Sequence, residues 1–316
     1  MFRLVLTRAA FAAFSLLIVS AIIFWCVEWL PGDLASRMLG REATAEQMEV
    51  LRHKLHLDQP TTVRYFRWLD DVSHGDLGTS LAADRPVFDY VWPRAFNTLR
   101  LAALALLIYI PLSIALGLWT ALSRGGPADN AISIAVIIGM CVPEYVVGIF
   151  LIVLLAVGLH WFPPLALVDQ AQDWWSLLHM LFLPALTLTI AMTAYAVRMM
   201  RDNLIEVLDS GYVQMARLKG LPAYRVLLRH ALPSALGPAI NVTALNVAWL
   251  LGGIVVVETV FSFPGLGRLL VDAIELKDTP VVLAVSLLLT SLYILCNLAA
   301  DVGVLLLNPK LRHEYE

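Results

Sequence analysis

Apolar residues gather into six long runs along the chain. Residues 9–27, 101–123, 174–197, 231–257 and 279–300 contain no Asp, Glu, Lys or Arg, and residues 131–159 contain one, Glu144. A membrane-crossing helix needs about 20 mostly apolar residues, so each run predicts one span. The first run follows Arg3 and Arg8 as a signal peptide would, but it continues to Leu30 without a small-x-small cleavage site and reads as a retained span. Trp25 and Trp29 at its end are placed as interface anchors, and Trp161-Phe162-Pro163-Pro164 with Trp174-Trp175 predicts an aromatic belt. Pro111, Pro143 and Pro184 fall inside runs and predict kinks. Gly252-Gly253 predicts close helix approach.

Polar stretches between the runs fix orientation. With six spans both termini share a side, and that side collects eleven Lys and Arg from the tails and short loops. On the other side, loop 160–178 has no basic residue and loop 259–278 has two. Short loops rich in Lys and Arg stay in the cytoplasm, so both termini are predicted to be cytoplasmic. The longer 31–97 segment is then extracytoplasmic. Thr44-Ala45-Glu46-Gln47 reads as a capping box, with Met48, Leu51 and Leu55 behind it at helical spacing. Pro60 suits a first helical position, with Val63, Phe66 and Leu69 as a second stripe. The pattern predicts a small helical subdomain, either a cap over the outer mouth or a docking surface for a soluble partner.

Loop 198–233 holds six basic residues and three breakers. Asp209-Ser210-Gly211 ends one helix. Residues 212–219 make about two turns, with Gly220 placed as the C′ residue and Pro222 beyond it. Residues 223–232 restart a helix. Such an elbow can present one short helix to a groove on another protein; a solvated basic loop that only enforces topology fits the same pattern.

Composition agrees with the runs. Of 316 residues, 59% are hydrophobic and 15% charged, and the mean hydropathy is +0.77. Soluble domains carry about 25% charged residues, so a soluble enzyme or a disordered tail is excluded. The net charge of −3 and pI near 6.2 give no field for nucleic acid. Cys26, Cys141 and Cys296 lie in apolar runs and read as reduced packing residues. None of the 18 glycines precedes a lysine, so no P-loop can cradle ATP. No zinc-protease or Gly-x-Ser-x-Gly motif points to an intramembrane enzyme. A secondary transporter driven by an ion gradient would need midplane ionisable residues in inverted repeats. Glu144 is the single midplane acid, and no repeat is evident.

Gln214-Met215-Ala216, three residues, Gly220, nine residues, His230, one residue, Leu232-Pro233 resembles the Glu-Ala-Ala loop of ABC importer permeases. Ala216, Gly220, Leu232 and Pro233 match it in register; Gln214, Met215 and His230 depart. The resemblance continues through Pro31-Gly32-Asp33, Leu57-Asp58-Gln59-Pro60, Gly75-Asp76-Leu77-Gly78-Thr79-Ser80 and Arg85-Pro86-Val87. It resumes at Tyr212-Val213, Arg217, Lys219-Gly220-Leu221, Glu258 to Arg268 and Asn308-Pro309-Lys310. The chain is therefore similar to the first-listed permease of dipeptide, oligopeptide and nickel importers.

That resemblance implies an all-α integral membrane protein with the type I ABC importer permease fold. It divides into 1–30 (tail and first span), 31–97 (extracytoplasmic subdomain) and 98–316 (permease core). It implies a heterodimer with a second homologous permease in the bacterial inner membrane, two ATPase subunits that carry the ATP and Mg, and an extracytoplasmic solute-binding protein. The chain itself needs no cofactor or metal and has no catalytic residue. The implied ATPase-coupling helix holds Tyr212, Ala216, Arg217, Lys219, Gly220 and Leu221. Phe263, Pro264, Gly265 and Gly267 form either an interfacial turn or, by resemblance, a re-entrant element near an outer gate. Pro143 and Glu144 are candidates for the pathway, with a polar contact to the second permease as the plainer role for Glu144. The expected cargo is a short peptide, with glutathione, nickel or a metal chelate as alternatives.

Overall fold

The computed structural model describes residues 2–29, 46–47, 49–50 and 59–307. The cap read at Thr44 and the stripe at Met48, Leu51 and Leu55 lie outside the described residues. The described residues are almost entirely helical. They divide into two compact units, Met1–Leu99 with Pro264–Ile294 and Arg100–Phe263 with Leu295–Glu316. Segment 31–97 thus belongs to a unit that also takes in residues 264–294.

The first unit contains α1 (Phe2–Trp29), α2 (Thr61–Ser73), a two-stranded hairpin of β1 (Thr79–Ser80) and β2 (Arg85–Pro86), and the opening turns of α3 (Val87–Leu122). Helix α10 (Leu266–Leu276) and α11 (Thr279–Leu307) to Ile294 complete it. Pro60 is the N-cap of α2, one place earlier than the sequence predicts. The expected stripe of Val63, Phe66 and Leu69 is not the buried one: Phe66 is 66% exposed. Tyr65 and Trp68 go inward instead, packing with Phe24 of α1 and Leu283 of α11. Tyr65, Trp68, Leu69 and Val72 form a rival stripe at the same helical spacing, and its two large aromatics bury more apolar area. An Arg64–Glu28 ion pair and a 3.0 Å Ser20–Tyr65 hydroxyl contact fix α2 to α1. The hairpin tip is held from 200 residues away in sequence: the buried Asp278 carboxylate accepts the Ser80 hydroxyl and the backbone N–H groups of Leu81 and Ala82.

The second unit holds the rest of α3, then α4 (Pro127–Cys141), α5 (Glu144–Leu151) with a π-helical continuation Ile152–Gly158, and α6 (Trp174–Leu208). Helices α7 (Gly211–Leu218), α8 (Ala223–Val226) and α9 (Leu232–Val260) follow, α8 and α9 being joined by a π turn over Leu227–Ala231. Tyr109, Leu183, Leu188, Met192, Ile254, Phe261 and Phe263 lie in its core. Helix α6 opens with a capping box in which Asp173 accepts from the Ser176 backbone N–H, a bond that holds the Asp173 carboxyl below the usual carboxylate range. A Cβ on Gly117 of α3 would sit 2.6 Å from Met200 Cβ of α6, so glycine is what lets these helices touch.

All six apolar runs fall on helices. Four helices are long and apolar enough to cross a membrane, and α4 with α5 is a fifth candidate if the pair counts as one span. The fifth run, 231–257, lies on α9, where the described apolar stretch is Leu245–Val260. Run 131–159 differs from the single kinked helix expected: it bends by 110° between α4 and α5. Pro143 has no N–H to continue the ladder and drives the preceding residue out of the helical region, and Val142 is extended at φ −91°, ψ 122°. Helices α3 and α6 run unbroken through Pro111 and Pro184.

One ion pair ties three segments of this unit together. Arg201 of α6 donates to both oxygens of Asp129 in the first turn of α4, at 2.7 and 2.8 Å. The Gly125 N–H and the Ser133 hydroxyl fill the remaining acceptor sites. Asp129 is 2% exposed. Removing Arg201 strands a buried carboxylate, which costs about 3 kcal/mol; removing Asp129 leaves a long cation that can swing to solvent. We therefore expect Arg201→Ala to lower the thermal denaturation midpoint of the detergent-purified protein clearly more than Asp129→Ala does.

Candidate functional site

The elbow between α6 and α9 is built in three steps. Helix α6 ends at Leu208, and the Asp209 N–H caps it on Ile205 O. Arg124 pairs with the Asp209 carboxylate at 2.8 Å, and the Gln214 side-chain amide donates to Asp209 O. The chain then turns and forms α7 over Gly211–Leu218, one residue from the predicted start.

Its end is a Schellman motif. The Gly220 N–H donates to Arg217 O and the Leu221 N–H to Ala216 O, with Gly220 at φ +77°. Gly220 thus occupies the C′ position that the sequence predicts. No neighbouring atom crowds it, so what the site demands is the left-handed backbone, not space.

Helix α7 has two faces. Val213 and Ala216 are buried among Ala121, Met200, Leu204, Val226, Ala231 and Ala235. Ala216, expected at the coupling surface, therefore points into the chain's own core. The opposite face presents Tyr212, Met215 and Leu218, the last two 53% and 82% exposed. Arg217, Lys219 and Gly220 are exposed beside them, and Leu221 is half-buried. Tyr224 and Leu228 widen the apolar surface. Exposed leucine and methionine on a basic loop mark a contact surface. Two of the residues that depart from the loop pattern, Gln214 and Met215, are exposed, the Gln214 side chain bonding the Asp209 carbonyl. The matching Ala216 and Gly220 sit where packing and backbone geometry restrict the residue.

Around Phe263 the aromatics turn inward: Phe261 and Phe263 are fully buried and pack in the core of the second unit. Helix α9 ends in a second Schellman motif, with Ser262 at φ +52° and the Phe263 N–H on Glu258 O. Glu258, given no role from sequence, is fully buried here. In the first unit Pro264 O accepts from Asn97, the buried Gly265 caps α10, the Leu266 N–H donates to Thr98, and Gly267 is buried in the first turn.

Pro143 caps α5, and Glu144 is its first residue, half-buried. Glu144 Oε1 and the Trp249 ring both lie within 4 Å of the point that a Cβ on Gly253 would occupy. The elbow and the Glu144 site are separate places in the second unit. Sequence reasoning missed the Asp129–Arg201 pair and the Asp278 anchor. Asp129 did carry a signal, in an acidic residue just inside a Pro-started helix, but nothing in the sequence names its partner.

Two family models match the chain. Residues 113–313 match the binding-protein-dependent transport system inner membrane component, and residues 1–102 match the N-terminal part of such membrane components. A Brucella abortus (strain 2308) protein whose name places it as the permease of a peptide transport system is 37% identical over 317 residues, 99% of this chain and all of that one. The glutathione transport system permease protein of Salmonella paratyphi A is 35% identical over 300 residues, 95% of each chain. Its namesake from Pectobacterium atrosepticum is 37% identical over the same length.

With the elbow as the candidate surface, Gly220 can be tested directly. A β-branched side chain at φ +77° costs about 1–2 kcal/mol, whereas asparagine tolerates the left-handed region. Gly220→Val should open the α7–α8 turn to limited proteolysis in the purified protein, and Gly220→Asn should leave the cleavage pattern near wild type.

Proposed function

The chain belongs to the family of binding-protein-dependent transport system inner membrane components, and from that membership we propose that it is the pore-forming subunit of an ATP-driven importer of short peptides. It is a multi-pass inner membrane protein. Identity of 37% along the whole length to a peptide transport permease supports the cargo. The glutathione permeases support a second reading within the same class, since glutathione is itself a short modified peptide.

The observation that carries the mechanism is the two-faced helix α7. One face is fixed to α6 and α9 by Val213 and Ala216; the other offers Tyr212, Met215 and Leu218 with Arg217 and Lys219 at the edge. Such a surface suits a groove on a soluble ATPase. Closure of two ATPase subunits would press α7 and so move the helices bonded to it. A second permease would complete the pore, and a solute-binding protein would deliver cargo from outside. ATP and Mg would sit on the ATPase subunits, so this chain acts mechanically.

The topology that goes with this role is six spans with both ends in the cytoplasm, α9 being the fifth span and α11 the sixth. Reporter fusions after Arg124 and after Leu221 should then report cytoplasm, and fusions after Asp71 and Gln170 the outside. A reversal in either group would remove the arrangement.

Docking has its own test. Leu218→Asp and Met215→Asp alter exposed side chains and should leave membrane levels within about twofold of wild type, because surface changes stay near 0.5 kcal/mol. Combined, they should abolish uptake and release the ATPases during mild detergent purification. Val213→Asp, which buries a charge, should instead lower the amount of folded protein. Retained ATPases and normal uptake in the Met215/Leu218 double variant would refute the docking surface.

A further inference from the structure

The broken span places a carboxylate where the permease reading puts the substrate's path. Helix α4 has fifteen residues and so rises about 22 Å, against a hydrocarbon core of roughly 30 Å. With α4 starting at the cytoplasmic surface, as the six-span topology has it, the extended Val142–Pro143 step falls at membrane depth. Open backbone at that depth persists where it is covered by protein or lines a water-filled cavity. The chain departs from helical geometry there and at once presents Glu144. An acidic side chain within a span faces the bundle interior or water.

Glu144 differs from the structural Asp129 of the same unit. Among the described residues no ion pair or hydrogen bond engages its carboxylate, unlike Asp129, whose acceptor sites are filled by Arg201, Gly125 and Ser133. Its Oε1 and the edge of the half-exposed Trp249 ring both lie within 4 Å of the position that a Cβ on Gly253 would take. A carboxylate with an indole ring nearby can recognise organic cations, through Coulomb attraction and, over the ring face, the ring quadrupole.

Resting on the importer reading above, we propose that Glu144, backed by Trp249, forms a cation-recognising station in the translocation pathway and favours peptides with a Lys or Arg side chain. The station acts on transit, downstream of capture by the solute-binding protein. It touches no part of the elbow, so its loss leaves ATPase docking intact.

The experiment uses the full complex in proteoliposomes with its solute-binding protein. It measures ATP-dependent uptake of Ala-Lys-Ala and Ala-Ala-Ala by wild type, Glu144→Gln and Glu144→Asp at matched protein levels. Each rate is compared at saturating binding protein, so capture drops out. A charged hydrogen-bonded contact is worth about tenfold. Glu144→Gln should therefore lose about tenfold for Ala-Lys-Ala and stay within twofold for Ala-Ala-Ala, and Glu144→Asp should keep the wild-type preference. A Glu144→Cys variant, made with Cys26, Cys141 and Cys296 replaced by alanine, should react with a membrane-impermeant thiosulfonate. Equal loss for both peptides would mean a plain packing role and would overturn the proposal; so would no loss for either, or an unreactive cysteine. If wild type imports neither peptide with ATP, the peptide reading falls and takes this inference with it. That failure is told apart by wild type itself being inactive.

Discussion

The buried Asp129–Arg201 pair is the constraint on which the elbow end of the second unit depends. Arg201 lies two turns before the end of α6, Asp129 in the first turn of α4, and Gly125 in the turn that leaves α3. One carboxylate thus holds the end of α6 against the turn between α3 and α4. Everything beyond Arg201, including Asp209 and the start of α7, inherits that position. The Arg124–Asp209 pair repeats the link one level further out, but both of its side chains are largely exposed, and exposed pairs contribute little. The buried bidentate pair is the one that sets geometry.

Helix ends do the remaining positioning. Schellman bonds close α7 at Gly220 and α9 at Ser262, and the same pair of bonds closes α10, where Lys277 stands at φ +58°. Only the first uses glycine. At the other two a side chain occupies the left-handed region at a cost of order 1 kcal/mol, and each is followed by a buried group that needs the turn. Phe263 enters the core of the second unit, and Asp278 reaches the hairpin of the first. The strain is spent where a short turn must place a particular side chain.

How much of this could be read from the sequence depends on the range of the interaction. The elbow was legible residue by residue, because capping and termination are local: Asp209-Ser210-Gly211 stops α6, and Gly220 stops α7. Apolar runs were legible as helices for the same reason. The face of α2 was not, because Val63/Phe66 and Tyr65/Trp68 are both helical stripes and only Phe24 and Leu283 decide between them. Where Phe261 and Phe263 pack was not legible, since an aromatic beside Gly and Pro suits an interface and a core equally until its neighbours are known. Long-range polar pairs were invisible: Asp278 finds Ser80 across 198 residues, and Arg201 finds Asp129 across 72.

The way α7 is built also decides what a push on it can do. An isolated helix of eight residues is far too short to be stable in water, so a force on its exposed face would melt it if it stood alone. Here its inner face is part of a cluster that includes Met200 and Leu204 of α6 and Ala235 of α9. Its start is tied to Asp209, and its end is locked by two backbone bonds. Melting α7 would expose that cluster and break those bonds together. Displacing it carries α6 and α9 along, with their packing kept. Close-packed interiors resist compression and transmit strain, so a load applied at Met215 and Leu218 would be passed to both long helices. Helix α9 is the one that packs beside α5, and Gly253 on it lies next to Glu144. The cluster under α7 and the candidate station thus share one helix, which is the least that any coupling between them requires.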